Sequence, residues 1–414
     1  MKVLLVGNGA REHALAKYLV DGGAELYSFM KHLNPGIAKL SKKYVIGNFT
    51  DFDNLLQFDV DYAVIGPEKP LALGMTDYLQ TLHIGVVGPT RAAAQLETSK
   101  IFARKLVDRH QPDANPHYHV CKSIEELEVA LKLIDRVVIK PDGLTGGIGV
   151  KVQGIHLNSH DEIVNYAKEI LQEDKHFIVE EFLNGTEFTV QAFCDGSKIE
   201  PMPLVHDYRT PSIRHSLGSV TAPNHDFPGI TKNDIEKARN IIRDSFRALY
   251  EDYGVMYQGI LYGQFIKTGK DIKLIEYNCR FGDPEALNVL YLLKDNPVEL
   301  FYNMTQNNMG TPTFKTGEAT MSLYLVPKGF LTNNPIKDSK IEIPKLPADV
   351  DFFYGAVYQE KPNGEIRTIH KRSIALFGHN SSIEEVRSKL YDFAPKVGGE
   401  LTWSNDIGKS TDTH

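Results

Sequence analysis

The N-terminal part of the chain alternates short apolar runs with amphipathic segments. The run KVLLVG, residues 2–7, is apolar throughout, which is typical of strands buried on both faces of a sheet. A helix is predicted over 11–19 and is ended by a glycine pair. Strands that alternate with helices pair in parallel, because the helix supplies the crossover. We therefore expect a doubly wound parallel sheet in an N-terminal domain of residues 1–98, with further strands at 25–29, 62–65 and 85–87.

Two turns directly follow strands of this predicted sheet, GNGAREH from Gly7 and GPEKPL from Gly66. Ligands of open parallel sheets bind beyond the carboxyl ends of the strands, so we expect both turns to face one cleft. Glu12 stands where the dinucleotide fingerprint requires its third glycine, which argues against a nicotinamide cofactor. Arg11 and the amides at the helix start suit a phosphate or carboxylate, although a plain strand-to-helix turn explains them equally well. Glu68 either contacts a sugar hydroxyl or caps the next helix.

Residues 89–108 predict one helix, on which Lys100 and Arg104 lie one turn apart. A proline-rich, polar stretch then marks a boundary. Beyond it, two strands enclose the loop 141–149, which contains four glycines. Lys140 ends the first of these strands, and glycines let backbone amides approach phosphate oxygens closely. The loop lacks the Walker pattern, and without Lys140 a structural turn would be the better interpretation.

The stretch HFIVEEFLNGTEFTVQAF predicts two strands joined at residues 183–185. Glu180 and Glu181 end the first strand, and Glu187 lies in the second. Carboxylates beside an apolar slot can accept hydrogen bonds from ribose hydroxyls. Exposed acidic residues at a sheet edge are the equally weighted alternative.

The most informative string is KLIEYNCRFGDPE, residues 273–285. Glu276 and Asn278 are two positions apart, so on a strand both side chains leave the same face and can hold one cation. Arg280 continues that face and offers a planar fork of donors to a carboxylate or phosphate. This pattern predicts a magnesium-nucleotide site at the end of a strand.

The remaining sequence completes the fold. An amphipathic helix is predicted over 231–250. A C-terminal α+β domain, residues 312–408, is expected to contain a helix opened by Ser382 with Glu385 in a capping box. Its predicted strands are 320–326, 352–358 and 373–377, and residues 409–414 form a tail.

Composition narrows the class of protein. The chain has 414 residues, of which 42% are hydrophobic and 24% charged, so several folded cores are expected. The net charge of -7 argues against broad nucleic-acid binding. Three scattered cysteines indicate neither a disulfide framework nor a zinc site, which favours a reducing cytoplasm. The short apolar run at the N-terminus is too short for a membrane span.

With these motifs in view, the chain resembles the ATP-grasp carboxylate-amine ligases, and among them the phosphoribosylamine-glycine ligase family. The strings that carry the resemblance are GNGAREHALA, IGPEKPL, GPTRAAAQLETSK, IKPDGLTGGIGV, VEEFLNGTEFT, GILYGQF and IEYNCRFGDPEALN. They cover nearly the whole chain, and NCRFGDPE together with REHALA is the most specific part. The resemblance implies a central ATP-grasp domain of residues 99–311, with a mobile subdomain at about 115–187.

The resemblance also implies functional residues. For ATP and its metal it implies phosphate contacts at Lys100, Lys140, Gly143, Gly146, Gly147 and Gly149, adenosine contacts at Glu181, Leu183 and Glu187, and Mg²⁺ or Mn²⁺ ligands at Gln264, Glu276 and Asn278. For the substrates it implies contacts at Gly9, Arg11, Glu12, Glu68, Pro70, Asp207, Arg209, Arg280 and Asp283, with Arg280, Lys140 and Asp207 as catalytic residues.

The activity implied by the resemblance is ATP-dependent joining of glycine to 5-phosphoribosylamine in purine biosynthesis, by a cytoplasmic monomer or homodimer that binds neither nucleic acid nor membrane. Two departures keep alternatives open. Ile148 stands where the family has a lysine, and residues 210–227 lack the family's glycine-rich string. The alternatives are a ligase for another amine or amino acid and a weakly active nucleotide-binding relative.

Overall fold

A computed structural model describes residues 1–146, 149–173, 176–209, 215–225, 227, 229–359 and 364–409. Its N-terminal part is a parallel sheet in the strand order β3-β2-β1-β4-β5. The strands are β1 (Lys2–Val6), β2 (Glu25–Met30), β3 (Lys43–Ile46), β4 (Tyr62–Ile65) and β5 (Gly85–Val87). The helices are α1 (Ala10–Asp21), α2 (Pro35–Leu40), α3 (Glu68–Leu73) and α4 (Met75–Thr81). The predicted doubly wound sheet is confirmed, and β3 is an additional strand.

Side chains of β1 alternate between two hydrophobic cores. Val3 and Leu5 lie in one core cluster, whereas Leu4 and Val6 lie in the other, and all four are fully buried. This burial on both faces explains why the run is apolar without alternation. The strand order reverses between β1 and β4, so the turns that follow these two strands flank the crevice where ligands of such sheets bind.

The helix predicted over 89–108 is wrong as a single element. The structure has two helices, α5 (Gln95–Thr98) and α6 (Lys100–His110). Ser99 separates them because it has extended backbone angles and its side chain accepts the N–H of Phe102 as the N-cap of α6. The Ser99 hydroxyl also donates to Asp142 at 3.1 Å, which fixes the break against the glycine-rich loop.

Two antiparallel sheets form the centre of the molecule. The first has the order β6-β9-β7-β8. It consists of β6 (Tyr118–Cys121), β7 (Val137–Pro141), β8 (Lys151–Val152) and β9 (Phe177–Glu181), covered by α7 (Ile124–Leu133) and α8 (His160–Gln172). The strands that follow are β10 (Thr186–Asp195), β11 (Ile199–Pro201), β12 (His206–Arg209), β13 (Ser216–Thr221), β14 (Gln258–Thr268) and β15 (Asp271–Asn278). The second sheet has the order β11-β10-β14-β15.

The intervening helices are α9 (Lys232–Tyr253), α10 (Glu285–Leu292) and α11 (Pro297–Thr305). The predicted helix over 231–250 is confirmed as α9, which Thr231 caps in a capping box with Asp234.

The C-terminal sheet recruits strands from the middle of the chain. Its order is β12-β13-β16-β20-β17, with β21 paired to β16. The C-terminal elements are β16 (Ala319–Pro327), β17 (Val350–Tyr354), β18 (Val357–Gln359), β19 (Ile366–Thr368), β20 (Ile374–Asn380), α12 (Ile383–Phe393) and β21 (Leu401–Thr402). The strands β12 and β13 therefore join the central part of the chain to the C-terminal sheet, across the expected boundary at residue 312.

Two local predictions in the C-terminal part are wrong. The strand predicted over 352–358 is two strands, because a Cβ at Gly355 would lie 2.6 Å from the carbonyl oxygen of Arg372 and the chain turns at this close approach. Ser382 caps α12, but Glu385 forms no capping box with it: the Glu385 carboxylate accepts the Ser381 hydroxyl at 2.6 Å.

Among the described residues, no helix has the length and apolarity needed to cross a bilayer.

Candidate active site

One large cleft collects residues from the N-terminal, central and C-terminal parts of the chain. Its cavity volume is about 690 Å³. The predicted site residues that line it are Gly9, Arg11, Glu12, Glu68, Lys100, Lys140, Gly143, Gly146, Glu276, Asn278, Arg280 and Asp283. The structure therefore brings together residues that are up to 274 positions apart (283 − 9).

Other predicted site residues lie beside the cleft or outside it. Among the described residues these are Pro70, Gly149, Glu181, Leu183, Glu187, Asp207 and Gln264, and their roles stay predictions. Glu181 accepts the backbone N–H of His117 at 2.8 Å. Arg209 belongs to β12, but its side chain, like Gly147, Ile148 and residues 210–214, lies outside the described residues.

Glu12 occupies the crevice between the turns that follow β1 and β4. Its carboxylate accepts the N–H of Gly9 at 2.6 Å and the Nε of Arg11 at 2.6 Å. A Cβ at Gly7, whose φ is +127°, would lie 2.5 Å from the Glu12 side chain, and one at Gly66 would lie 2.2 Å from it. Both glycines are thus required by the carboxylate. The side chain that breaks the dinucleotide fingerprint therefore fills the space between these two turns.

A buried ion-pair cluster holds Lys140. Its Nζ lies 2.6 Å from Glu180, and Glu180 also accepts the Nε of Arg104 at 2.6 Å. Burial opposes ionisation of Glu180, but Arg104 and Lys140 outweigh it and lower the pKa of the carboxyl to about 2. The sequence alone did not predict that Glu180 pairs with Arg104 and Lys140. The side-chain ammonium of Lys140 is fixed at the cleft wall by a carboxylate of the neighbouring strand β9.

Lys100 contacts the glycine-rich loop. Its Nζ donates to the carbonyl oxygen of Gly143 at 2.7 Å, and Gly143 has a φ of +93°, which favours glycine. Burial lowers the pKa of Lys100, while the carboxylate of Glu276 opposes that shift. The first turn of α6 therefore places the Lys100 side-chain nitrogen against the glycine-rich loop.

The predicted metal ligands lie on paired strands. Gln264 on β14 is directly opposite Glu276 on β15, and Asn278 is two positions further along β15. The Gln264 Nε2 donates to Glu187 at 2.7 Å, whereas its Oε1 is buried without a hydrogen-bond partner among the described residues. An orphaned amide oxygen beside a carboxylate fits a hard divalent cation. No cluster of three His, Cys, Asp or Glu side chains that could hold a metal occurs in the described part of the chain, so this set depends on amide oxygens.

Arg280 is surrounded by oxygen atoms. Its Nη2 donates to Asn278 Oδ1 at 2.7 Å and lies 3.3 Å from Glu97. Its Nε lies 3.8 Å from Glu68 Oε2 and is buried without a hydrogen-bond partner within the described residues. Glu97 also accepts the N–H of Cys279 at 2.6 Å. Burial raises the pKa of Glu97 to about 7, although Arg280 opposes the shift. Arg280 therefore lines the cleft and keeps one guanidinium donor without a hydrogen bond within the described residues.

Comparison with known proteins agrees with this arrangement. A family model described as "Phosphoribosylglycinamide synthetase, N domain" matches residues 1–97, and one for the "ATP-grasp (A) domain" of the same enzyme matches residues 98–286. The chain belongs to the phosphoribosylglycinamide synthetase family. This confirms the resemblance that the sequence motifs indicated.

Full-length relatives support membership of the phosphoribosylglycinamide synthetase family. The phosphoribosylamine-glycine ligase of Thermococcus gammatolerans is 39% identical over 419 residues, which cover 99% of this chain and 94% of the relative. That of Pyrococcus horikoshii is 38% identical over 425 residues, with the same coverage. The crystal structure of phosphoribosylamine-glycine ligase from Thermotoga maritima matches with a TM-score of 0.81 at 23% identity, covering 98% of this chain and 100% of that one, and shows the shared fold.

Residues that sequence reasoning missed complete the cleft of this family member. Asp283 accepts the Tyr324 hydroxyl at 2.5 Å and the Arg372 Nη2 at 2.8 Å. His370 and Lys371 line the cleft beside Arg372. These three basic residues are consecutive in the sequence, but their segment was assigned to the fold and not to the site. The C-terminal part therefore contributes cations to the site in addition to covering the fold.

Proposed function

We propose that the protein is an ATP-dependent ligase that joins glycine to phosphoribosylamine, giving glycinamide ribonucleotide, ADP and phosphate. Family membership along the whole chain supports this activity. The structural observation that carries it is Arg280, which lines a cleft together with the predicted metal ligands Glu276 and Asn278 and keeps its Nε without a hydrogen bond within the described residues. A free guanidinium donor in that position suits the carboxylate of the amino-acid substrate.

The reaction balances without a covalent enzyme intermediate. A carboxylate oxygen of glycine attacks the γ-phosphorus of ATP, the bond to the bridging oxygen breaks, and ADP leaves. The amine nitrogen of phosphoribosylamine then attacks the carbonyl carbon of glycyl phosphate, phosphate leaves with the bonding electrons, and the nitrogen loses a proton. In such phosphoryl transfer the protein works mainly by positioning and charge stabilisation.

In this proposal the chain's own residues divide the work. Arg280 orients the attacking carboxylate. Lys100 and Lys140 balance the phosphate charge, each held in place by the contacts described above. The loop over 141–149 excludes water, which would otherwise hydrolyse the acyl phosphate. Glu181, Leu183 and Glu187 hold the adenosine.

Gln264, Glu276 and Asn278 would hold Mg²⁺ or Mn²⁺, which when bound neutralises the phosphate charge. The hydrogen bond from Gln264 to Glu187 links this group to the adenosine side. On the acceptor side we place Gly9, Arg11, Glu12, Pro70, Asp207, Arg209 and Asp283, and Glu68 is a further substrate contact. We also propose that the protein is cytoplasmic and acts as a monomer or homodimer.

The experiment is an assay of ADP release from MgATP with glycine and freshly made phosphoribosylamine, together with mass spectrometry of the product. We expect ADP release that depends on both substrates and a product with the mass of glycinamide ribonucleotide. Omission of each substrate in turn is the internal control. ADP release only with another amine would favour the alternative ligase, and no release with any amine would contradict the proposal.

A further inference from the structure

Arg280 lies between two carboxylates that differ in how firmly they are held. Glu97 accepts the Cys279 N–H at 2.6 Å and lies 3.3 Å from Arg280 Nη2, with only 7% of its side chain exposed. Glu68 lies 3.8 Å from Arg280 Nε, too far for a hydrogen bond, and 37% of its side chain is exposed. Glu97 is thus held firmly against the buried side of the guanidinium, whereas Glu68 is the more exposed of the two carboxyl groups.

Glu68 and Arg280 together present one negative and one positive group to the cleft, which complements the two charges of a zwitterion. The Arg280 Nε has no hydrogen-bond acceptor in the described part of the chain, and the Glu68 carboxylate lies 3.8 Å from it in the lining of the same cleft. Burial opposes ionisation of Glu68, but Arg280 and Arg11 lower its pKa, so the group is charged at neutral pH. A molecule with a carboxylate and an ammonium on adjacent carbons can contact both residues.

The charges around Arg280 also disfavour a carboxylic acid that has no ammonium group. A carboxylate bound at Arg280 would lie close to the charged Glu68 carboxylate, so a ligand that carries only a negative charge would be bound against like charge. A zwitterion adds no net charge and supplies each charged group with a partner. The arrangement therefore favours an α-amino acid over a plain or hydroxylated carboxylic acid.

We propose that Glu68 binds the ammonium group of the amino-acid substrate while Arg280 binds its carboxylate, which makes Glu68 a residue that determines specificity for an amino acid. This inference rests on the proposed function, because it assigns the amino group of the same substrate. It gives Glu68 a different role from either of those that the sequence left open, a sugar contact or a helix cap.

The test compares wild-type protein with Glu68→Gln in the ADP-release assay. Two constants are measured at saturating MgATP and phosphoribosylamine: the KM for glycine and the Ki of glycolate, which has a hydroxyl in place of the ammonium. Loss of the charged acceptor should raise the glycine KM about tenfold or more. The glycolate Ki should stay unchanged or fall, because glycolate lacks the ammonium and meets less negative charge.

Lys69→Gln is the matched control, since Lys69 is the exposed neighbour on α3 and its substitution also removes one charge. It should change neither constant. An unchanged glycine KM in Glu68→Gln, or an equal rise in glycine KM and glycolate Ki, would overturn the inference. If glycolate inhibits neither protein, the inference stands only if the glycine KM rises while the KM values for ATP and phosphoribosylamine stay constant. Wild-type protein without glycine-dependent ADP release would instead refute the proposed function itself.

Discussion

Arg11 donates through Nη1 to the carbonyl oxygen of Phe281 at 2.8 Å, a contact between residues 270 positions apart. Arg11 belongs to α1 of the N-terminal sheet, and Phe281 directly follows Arg280. Glu12 holds the other side of the Arg11 guanidinium at 2.6 Å. The N-terminal part of the chain therefore fixes the backbone from which Arg280 projects, and the two most specific sequence motifs form one physical unit.

Arg11→Lys tests this connection. The planar guanidinium of Arg11 donates to both Glu12 and the Phe281 carbonyl oxygen. A lysine has a single ammonium group that cannot reproduce both hydrogen bonds, so one buried acceptor loses its donor. We expect a loss of about 1 to 3 kcal/mol in the free energy of unfolding and a raised glycine KM. Denaturant unfolding and the ADP-release assay measure these effects. Lys17→Gln, on the exposed side of α1 where Lys17 pairs with Asp21, is the control and should change neither. Unaltered stability and KM in Arg11→Lys would contradict the connection.

Glu180→Gln tests the buried cluster around Lys140. Glu180 is 3% exposed and is the partner of both Arg104 and Lys140. Neutralising it leaves two buried cations without their counter-charge, which costs about 3 to 5 kcal/mol in comparable cases. The shift should be measured as a lower midpoint of denaturant unfolding.

The control for that experiment is Glu128→Gln, because Glu128 forms an exposed pair with His160. Such surface pairs contribute about 0 to 1 kcal/mol. Equal midpoints for the two variants would mean that the Glu180 cluster does not stabilise the central sheet.

The sequence predicts elements well where one physical rule dominates. β1 is recognisable because both of its faces are buried, so its residues are apolar throughout. β3, with the sequence KYVI, was missed because it is an edge strand of only four residues whose side chains are mostly exposed. The break at Ser99 was missed because local helix propensity gives no weight to a contact with Asp142, 43 positions away.

The same distinction holds for the site. The period of a strand placed Glu276 and Asn278 on one face, as predicted. The partners of the charged residues could not be predicted, because Glu97 and Glu180 reach their cations only through the folded chain. The roles of the predicted site residues therefore stay predictions, whereas the convergence of many of them on one cleft is observed.

Glu276→Gln tests the metal set. Glu276 supplies the only carboxylate among the three predicted ligands, and its replacement by an amide weakens the attraction for a hard divalent cation. We expect the free Mg²⁺ needed for half-maximal ADP release to rise about tenfold or more. Mn²⁺ binding followed by electron paramagnetic resonance gives a second readout that is independent of turnover. Asp271→Asn, an exposed carboxylate at the start of β15, is the control. Identical Mn²⁺ binding by wild-type protein and Glu276→Gln would exclude Glu276 as a ligand.

His13 provides a prediction about pH, because it lies where the N-terminal and C-terminal parts meet. Its ring is 8% exposed, stacks on Tyr354, and accepts the Tyr354 backbone N–H through Nδ1 at 2.8 Å. Burial, with a smaller contribution from Lys17, lowers the pKa of His13 from 6.5 to about 3. Between these two values the unfolded chain binds a proton that the folded protein does not, so stability is present above the unfolded pKa and falls as the pH drops below it.

Lowering the pH from about 7 to about 5 should therefore remove about 2 kcal/mol of stability through His13 alone. His13→Asn keeps a hydrogen-bond acceptor for Tyr354 but has no titrating ring. Its unfolding free energy should depend less on pH than that of wild-type protein, by about that amount, even if it is less stable at neutral pH. Denaturant unfolding of both proteins at the two pH values measures the difference. Equal losses in the two proteins would show that the folded protein protonates His13 as readily as the unfolded chain does, so that burial does not lower its pKa and other groups cause the acid sensitivity.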